Sequence, residues 1–494
     1  MTAAKKVTTD NGAPISDPET IQRVGTDGPL VLHDTNLIET LAHFNREFIP
    51  PRNPHAVGSG AFGEFIYDTD ISDICSAALF SKVGLRTPCL TRFSTVAGDR
   101  GSADTVRDVC GFSTKFYTKD GNLDWVFNNT PVFFVNNPIK FPQFIHTQRP
   151  NSKNLPDFEQ FWLFFCENAQ ESLHQVMVLF SNRGTPYSYK NMNGYSGHTY
   201  VWTNSKGEKH YVQVHLKTDH GIKNFTNEEA VKTCGENPLH RQIELHDSIA
   251  SGNFPSWTVS VQVMTFEEAS KLPFSVFDIT KVWPHDQFPL RRIGKLVLNE
   301  NPTNYFAQVE QAAFSPANMI PYMEASNDPM LVARLLSYPD AHRARLGKNY
   351  SQIPVNCPYK TRGAYNPIHR DGKMQMDNFG SDPRYFSTLE NYEFDTKTQN
   401  LKNLNKGAKF NSNQVVEWKH ELSDIDFVQP AQLWKVLGKT PGEQEALIHN
   451  VACHLQNASP KTQEKVCKWF NKANVEIGTG IKLEIAKLQR LSKL

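Results

Sequence analysis

The stretch Gly111-Phe-Ser-Thr-Lys-Phe-Tyr117-Thr-Lys-Asp120-Gly121-Asn-Leu123-Asp-Trp-Val-Phe127 reads as two strands joined by a tight turn. Residues 111–117 and 123–127 flank Asp120-Gly121, a pair suited to the positive φ of a short hairpin. Working upstream, residues 90–96 alternate, which sends Arg92, Ser94 and Val96 to one face and Thr91, Phe93 and Thr95 to the other. Downstream, residues 199–203, 210–217 and 257–264 alternate in the same way. In the second of these Val212, Val214 and Leu216 point one way, and Gln213, His215 and Lys217 the other. Residues 157–181 carry Leu173, Val176, Met177 and Phe180 at helical spacing and predict an inserted helical block. Many hairpins with few long crossovers predict an α+β chain built on an antiparallel barrel.

Outside this core the pattern changes twice. The first fifty-odd residues are polar and proline-punctuated, an arm with one short helix near residues 36–44. After about Asn301, prolines 316, 321, 329, 339, 354, 358 and 367 interrupt a poorly periodic stretch that runs to about Val428. A segment this long must wrap over a scaffold or another subunit. It holds one clear helix, with Asp328 as N-cap, Pro329 in the first turn and a stop expected at Pro339. The tail is helical: Thr440-Pro-Gly-Glu443 reads as a capping box, followed by Leu447, Ile448, Val451, Ala452 and Leu455 on one face, and Ser459-Pro460 opens the next helix. The expected divisions are 1–56 (arm), 57–301 (barrel core), 302–429 (wrapping segment) and 430–494 (helical domain).

Charge narrows the choice of partner. A net charge of +1 excludes a nucleic-acid backbone or an anionic membrane surface as the main partner, and no apolar run is long enough for membrane insertion. The eight cysteines show neither metal spacing nor a disulfide framework and read as reduced thiols of an intracellular protein. The 32 phenylalanines suit a packed aromatic core or a pocket for a flat apolar cofactor. The sequence finishes Ser492-Lys493-Leu494, the tripeptide address read by the peroxisomal import receptor, so the peroxisomal matrix is the expected location.

Three separated stretches can carry chemistry. Arg334 and Tyr338 are four apart on the helix that Asp328 opens, so a guanidinium lies beside a phenol and favours its phenolate, a ligand suited to hard ferric iron. Alone, Tyr338 reads first as a ring packed at a helix end. His55, entering the glycine-rich stretch Ala56-Val-Gly-Ser-Gly60, alone reads as a structural histidine. Arg92-Phe-Ser94-Thr-Val96 and Asn128-Asn-Thr-Pro131 complete the set.

In order and spacing these blocks resemble the haem catalase family, in its small-subunit, NADPH-binding, peroxisomal form. The resemblance continues through Gly101-Ser-Ala-Asp-Thr-Val-Arg-Asp108, Met192-Asn-Gly-Tyr195, Lys281-Val-Trp-Pro-His285, Gln352-Ile-Pro-Val-Asn-Cys-Pro358 and Trp434-Lys-Val-Leu-Gly-Lys-Thr-Pro-Gly-Glu443, and so spans essentially the whole chain. It implies an eight-stranded antiparallel barrel and decomposition of hydrogen peroxide to water and dioxygen through a ferryl–porphyrin radical. On that resemblance Tyr338 binds the iron of haem b and Arg334 bonds the same oxygen; tyrosine is the general haem ligand of catalases. His55 is the acid–base residue, Asn128 bonds the peroxide and Ser94 orients the imidazole. Arg52, Arg92 and Arg345 clamp the propionates, with His342 nearby. Phe134, Phe141 and Phe144 line haem and channel, and Val96 and Asp108 set the inlet.

A second site is implied for NADPH at His174, Ser181, Arg183, Asn193, His215, Lys217, Trp283 and His285, with Val178 standing where the family usually has an aromatic. A homotetramer of D₂ symmetry is expected from the arm and wrapping segment. The sequence departs from the family at Pro54, Val57, Val109-Cys110 and Asn136-Asn137, none of which removes a catalytic group. Pro54 beside His55 leaves open a second activity, the catalase-related peroxygenase that rearranges hydroperoxides; the helical tail and the nucleotide residues favour catalase.

Overall fold

The computed structural model describes residues 4–358, 365–395 and 415–491. The chain divides into two compact units, Met1–Pro51 and Arg52–Leu494. In the first, Asp34 caps the helix Thr35–Phe44 by accepting from the Leu37 N–H at 3.2 Å, and antiparallel bridges join Thr8 to Pro14 and Arg23 to Leu30.

The second unit contains β1 (Gly58–Tyr67), β2 (Arg86–Ser94), β3 (Gly111–Thr118), β4 (Gly121–Asn128), β5 (Gly194–Tyr195), β6 (Tyr200–Thr203), β7 (Lys209–Thr218), β8 (Ser256–Met264), β9 (Arg291–Glu300) and β10 (Met323–Ala325). The order runs β10-β6-β7-β5-β4-β3-β2-β1-β9-β8, and β7 also pairs with β8. That last pairing closes eight strands, β1 to β5 and β7 to β9, into an antiparallel barrel, with β6 and β10 carried outside the ring. The 111–127 hairpin is present, with Thr118 opposite Gly121 and φ of 111° at Gly121.

Alternation puts two different materials on the two faces of this wall. Phe93, Phe112, Phe127, Val214, Leu216 and Trp257 fill the interior, together with the bonded pair Thr91–Thr114. On the outside, Lys115 and its cross-strand partner Asp124 form a buried ion pair at 2.7 Å. Asp124 also accepts from Ser315 N–H at 2.9 Å and Asn318 Nδ2 at 2.7 Å, which fastens the segment after β9 onto the barrel. A second cluster of Leu90, Val126, Ala312, Phe314 and Val355 fills the space between them, and the ring of Tyr338 packs against it.

Four sequence expectations are corrected by the structure. The helix opened by Asp328 does not stop at Pro339 but runs from Pro329 to Leu346. An interior proline costs about 3 kcal/mol; beyond it His342 Nε2 donates to Phe314 O at 2.7 Å and Arg345 donates twice to Glu310 O at 2.9 Å, anchoring the continued turns. The block at 157–181 is interrupted at Ala169 (φ −138°, ψ 56°), giving helices Phe158–Leu163 and Leu173–Phe180 with a π turn, Phe164–Asn168, between. Lys140 Nζ satisfies the freed Asn168 carbonyl at 2.6 Å. Thr440 is no capping-box residue: the helix Glu443–Leu455 begins at Gly442 in a left-handed conformation, φ 84°, without a side-chain cap. β2 ends at Ser94, one residue before Thr95 and two before Val96.

The tail folds as helices Ile425–Leu437, Glu443–Leu455, Pro460–Phe470 and Val475–Leu491, and Ser459 caps the third as expected. Cys75, Cys89, Cys110, Cys166, Cys234, Cys453 and Cys467 are free thiols. Among the described residues no helix is long and apolar enough to cross a membrane.

Candidate active site

Cross-strand pairing sets one row across the outer barrel wall: Gly58, Ser94, Gly111, Asn128, Tyr195 and His215 are successive neighbours on β1, β2, β3, β4, β5 and β7. Directly opposed residues share a face, so Ser94 and Asn128 point away from the packed interior along with His215. His55 sits just before β1 with φ 71°, a left-handed conformation costing of the order of 1–3 kcal/mol for a residue with a Cβ. Its N–H donates to Val96 O at 3.1 Å, and Nδ1 lies 2.9 Å from Ser94 Oγ and 3.1 Å from Thr95 O. A carbonyl only accepts, so Nδ1 carries the hydrogen and Nε2 keeps its lone pair. Burial, then the charges of Arg92 and Arg334, push the His55 pKa down to about 3, which keeps the ring neutral.

Room for this imidazole depends on glycine. A Cβ at Gly111 would stand 2.5 Å from Ser94 Oγ and 3.0 Å from His55 Nδ1. Next to it, Asp108 accepts from the N–H groups of Val96, Ala97 and Val109 at 2.6, 2.8 and 2.8 Å and pins the turn that follows β2. Burial lifts its carboxyl to about 6 despite these three donors. Asn128, the last residue of β4, is half-buried between the Gly111 and Tyr195 positions.

Tyr338 is presented by the helix Pro329–Leu346, whose N-cap, Asp328, accepts from Met330 and Leu331 N–H and is itself held by His198 Nδ1 at 2.6 Å. Arg334 Nη2 donates to the Tyr338 hydroxyl oxygen and to Val126 O, each at 2.9 Å. Arg334, Tyr338, His342 and Arg345 form one stripe along the helix. His342 is committed to the Phe314 carbonyl, and burial lowers its pKa to about 4.

The stripe ends in a cluster of arginines. Arg52 Nη2 donates to Val309, Glu310 and Ala312 carbonyls at 2.8, 2.8 and 2.9 Å. Arg92 Nη2 donates to His55 O at 3.0 Å. The Glu310 carboxylate lies 3.4 Å from Arg52 and 3.5 Å from Arg345. Arg52 is held well below its usual pKa by burial and by repulsion from Arg92 and Arg345; burial brings Arg345 to about 10. Arg92 Nε and Arg345 Nε are buried without a partner. Beyond β4, Phe134 packs against Phe144 and Phe165 at ring-centroid distances of 4.2 and 5.4 Å, and Phe141 lies 6.1 Å from Phe133.

The family model described as catalase matches residues 8–391, and one described as catalase-related immune-responsive matches residues 421–485. The chain belongs to the catalase family. It is 56% identical to peroxisomal catalase A of Saccharomyces cerevisiae, over 99% of this chain and 95% of the relative. A catalase of Methanosarcina barkeri is 45% identical over 100% of this chain and 97% of its own. A solved fungal catalase superposes with a TM-score of 0.95 at 57% identity, covering 98% of this chain and 96% of that one. The solved catalase A from Saccharomyces cerevisiae gives 0.95 at 56%, covering 97% and 99%. As a catalase the chain is an enzyme that decomposes hydrogen peroxide, and catalases of this family work with haem.

The residues expected at a nucleotide site divide into two groups in this catalase. Arg183 Nη2, Asn193 Nδ2 and Lys217 Nζ all donate to the hydroxyl oxygen of Tyr195, at 3.2, 3.0 and 2.9 Å. His215 Nε2 bonds Gln262 Oε1 at 2.9 Å, Gln262 Nε2 donates to Trp283 O at 3.3 Å, and the His285 ring is 5.7 Å from that of His215. Burial lowers His215 to about 3 and His174 to about 4, and each has an Nδ1 buried without a partner. Ser181 is turned inward, its Oγ donating to Val178 O at 2.7 Å.

Sequence reasoning missed Tyr195, Gln262, Glu310 and the His198–Asp328 pair. Tyr195 stood inside a recognised block, and only its register beside His215 reveals its centrality.

Proposed function

We propose that this catalase works with haem b, whose iron Tyr338 would hold through its phenolate oxygen, with His55 as the acid–base residue. Among the described residues Arg52 and Arg345 pair with one carboxylate, Glu310, and Arg92 pairs with none, so these three clustered guanidiniums carry two positive charges more than that carboxylate offsets. Two haem propionates supply that missing charge, and the unpartnered Nε atoms of Arg92 and Arg345 are donors suited to them. The bonded Arg334 guanidinium favours the charged form of the Tyr338 oxygen and withdraws some of its electron density. His342 braces the helix through Phe314. Phe134, Phe141 and Phe144 supply apolar surface for the ring and the approach to it.

A haem bound here would supply the redox chemistry that cleaves the peroxide O–O bond. The protein moves the proton. His55 Nε2 takes it from one peroxide oxygen and returns it to the other, while Asn128 orients the substrate with its amide. Ser94 and Thr95 O fix the imidazole. Positioned transfer of this kind is worth about 10²- to 10⁴-fold. The observation that carries this reading is the Nδ1–H of His55 committed to Thr95 O, because it leaves a neutral, unprotonated Nε2. Val96 and Asp108 then frame the narrow inlet beside it.

The reading extends to NADPH at Arg183, Asn193, His215, Lys217, Trp283 and His285, flanked by His174 and Ser181, where the cations suit a phosphate. It also extends to a homotetramer, supported by the exposure of Val24, Leu32 and Phe44 in the N-terminal unit. Location in the peroxisomal matrix is supported by the peroxisomal relatives; the expected address Ser492-Lys493-Leu494 lies outside the described residues. The test is direct: the purified protein shows a Soret band and evolves oxygen from hydrogen peroxide. Rearrangement of fatty-acid hydroperoxides without oxygen release overturns the assignment.

A further inference from the structure

Three donors meet on one phenol oxygen at Tyr195, and none of them can accept. Arg183 and Lys217 have no acceptor atoms. Asn193 could offer its oxygen if its amide were turned over, but Oδ1 is already taken by the Thr218 N–H at 3.0 Å, so Nδ2 must face the tyrosine. Lys217 Nζ also stands 4.5 Å from the centre of the Tyr195 ring. A neutral phenol has two lone pairs and one hydrogen needing an acceptor; a phenolate accepts three hydrogen bonds and needs none. The surroundings of Tyr195 match the second.

The charges around Tyr195 also favour the phenolate. Tyr195 is 5% exposed and faces Arg183 from the turn after helix Leu173–Phe180, Lys217 and His215 from β7, and Asn193 from its own strand's approach. His285 stands behind His215. Burial, then Lys217, hold both histidines below their usual pKa, with Asp286 acting the other way on His285, and among the described residues no carboxylate stands within ion-pair distance of Arg183 or Lys217. Against the opposing effect of burial, Arg183 and Lys217 bring Tyr195 down to about 8.

We propose that Tyr195 is the resident counter-charge of the nucleotide site: its phenolate holds Arg183 and Lys217 together, and an entering phosphate takes over both cations while the phenolate picks up a proton from solvent. This rests on the reading of the site as phosphate-binding. The phosphate forms ion pairs with Arg183 and Lys217, the tyrosine oxygen becomes a neutral hydroxyl, and no covalent bond other than O–H changes. Nucleotide affinity then falls as pH rises through the Tyr195 titration, because the phenolate competes with the incoming phosphate.

The holoenzyme is titrated first without nucleotide, following tyrosinate ultraviolet absorbance in wild type minus Tyr195→Phe. A difference step near pH 8 is expected; absence of any step below about pH 9.5 overturns the proposal, since an ordinary tyrosine titrates near 10. Lys217→Met should move the step upward by about one unit or more, and an unmoved step overturns the pairing. NADPH is then bound calorimetrically in buffers of differing ionisation enthalpy. Wild type should take up a substantial fraction of a proton at pH about 8.5 and lose at least about tenfold in affinity between pH about 7.5 and 9.5. Tyr195→Phe should do neither. NADPH binding without proton uptake overturns the counter-charge role; a tyrosinate step with no NADPH binding overturns the nucleotide reading and this inference with it.

Discussion

At the His55 end of the cross-strand row, Arg52, Arg92 and Arg345 donate to backbone carbonyls; at the His215 end, Arg183 and Lys217 donate to the side chain of Tyr195. The row is one continuous stretch of outer barrel wall, so the difference comes from what is laid on it. A carbonyl can neither turn away nor change its charge without moving the chain. Guanidiniums tied to carbonyls form a permanent cradle, suited to a group inserted once and kept. A phenol can gain a proton and release its partners, which suits a ligand that comes and goes. Preorganisation is greatest where catalysis needs it and relaxed where exchange does.

The largest effect expected from this contrast belongs to His55. His55→Ala should retain haem and a near-native spectrum, because the arginine cradle and Tyr338 are untouched, while peroxide decomposition falls by at least about 10²-fold. Since the His55 ring stays neutral down to about 3, the wild-type rate should be level from about pH 8 to 5. An inflection near the ordinary histidine pKa would show that the imidazole is not held as described. Arg345→Leu tests the cradle itself. Losing one charge-assisted partner should weaken haem retention by about 1.5–3 kcal/mol, roughly 10- to 100-fold, measured by transfer to apomyoglobin. Unchanged retention breaks the comparison at its permanent end. Gly111→Ala should lower turnover roughly tenfold with haem content unchanged, because the new methyl displaces Ser94 and the His55 ring. At the exchangeable end, NADPH should bind more tightly than NADH by more than about 1.4 kcal/mol, a tenfold ratio. Lys217→Met should shrink that preference, with Arg183 retaining part of it.

What could be read from the residues follows from where the determining interactions lie. The hairpin at 111–127 and the two faces of β7 were legible because turn chemistry and alternation are local. The start of the Tyr338 helix was legible for the same reason: Asp328 and Pro329 act within one turn. Its end was not. Pro339 is a local stop signal, and the bonds that carry the helix past it reach Phe314 and Glu310, 28 and 35 residues away in sequence. The left-handed start at Gly442 and the break at Ala169 were hidden likewise, since neighbouring elements hold them. Candidate haem residues were found through family resemblance, not pattern; His55 and Tyr338 read as ordinary structural residues when taken singly. The convergence on Tyr195 depends on the register of β4, β5 and β7, which no local pattern encodes.

The oxygen of Tyr338 is the group on which the proposed haem site depends most. It is placed on the same helical stripe as Arg345, bonded by Arg334, and packed against the outer barrel wall. The decisive measurement is the haem content and visible spectrum of purified Tyr338→Phe beside wild type. Loss of haem, or a changed ligand-sensitive spectrum with peroxide decomposition abolished in whatever haem remains, is the predicted result. Full haem loading with a wild-type spectrum and normal oxygen release would contradict it.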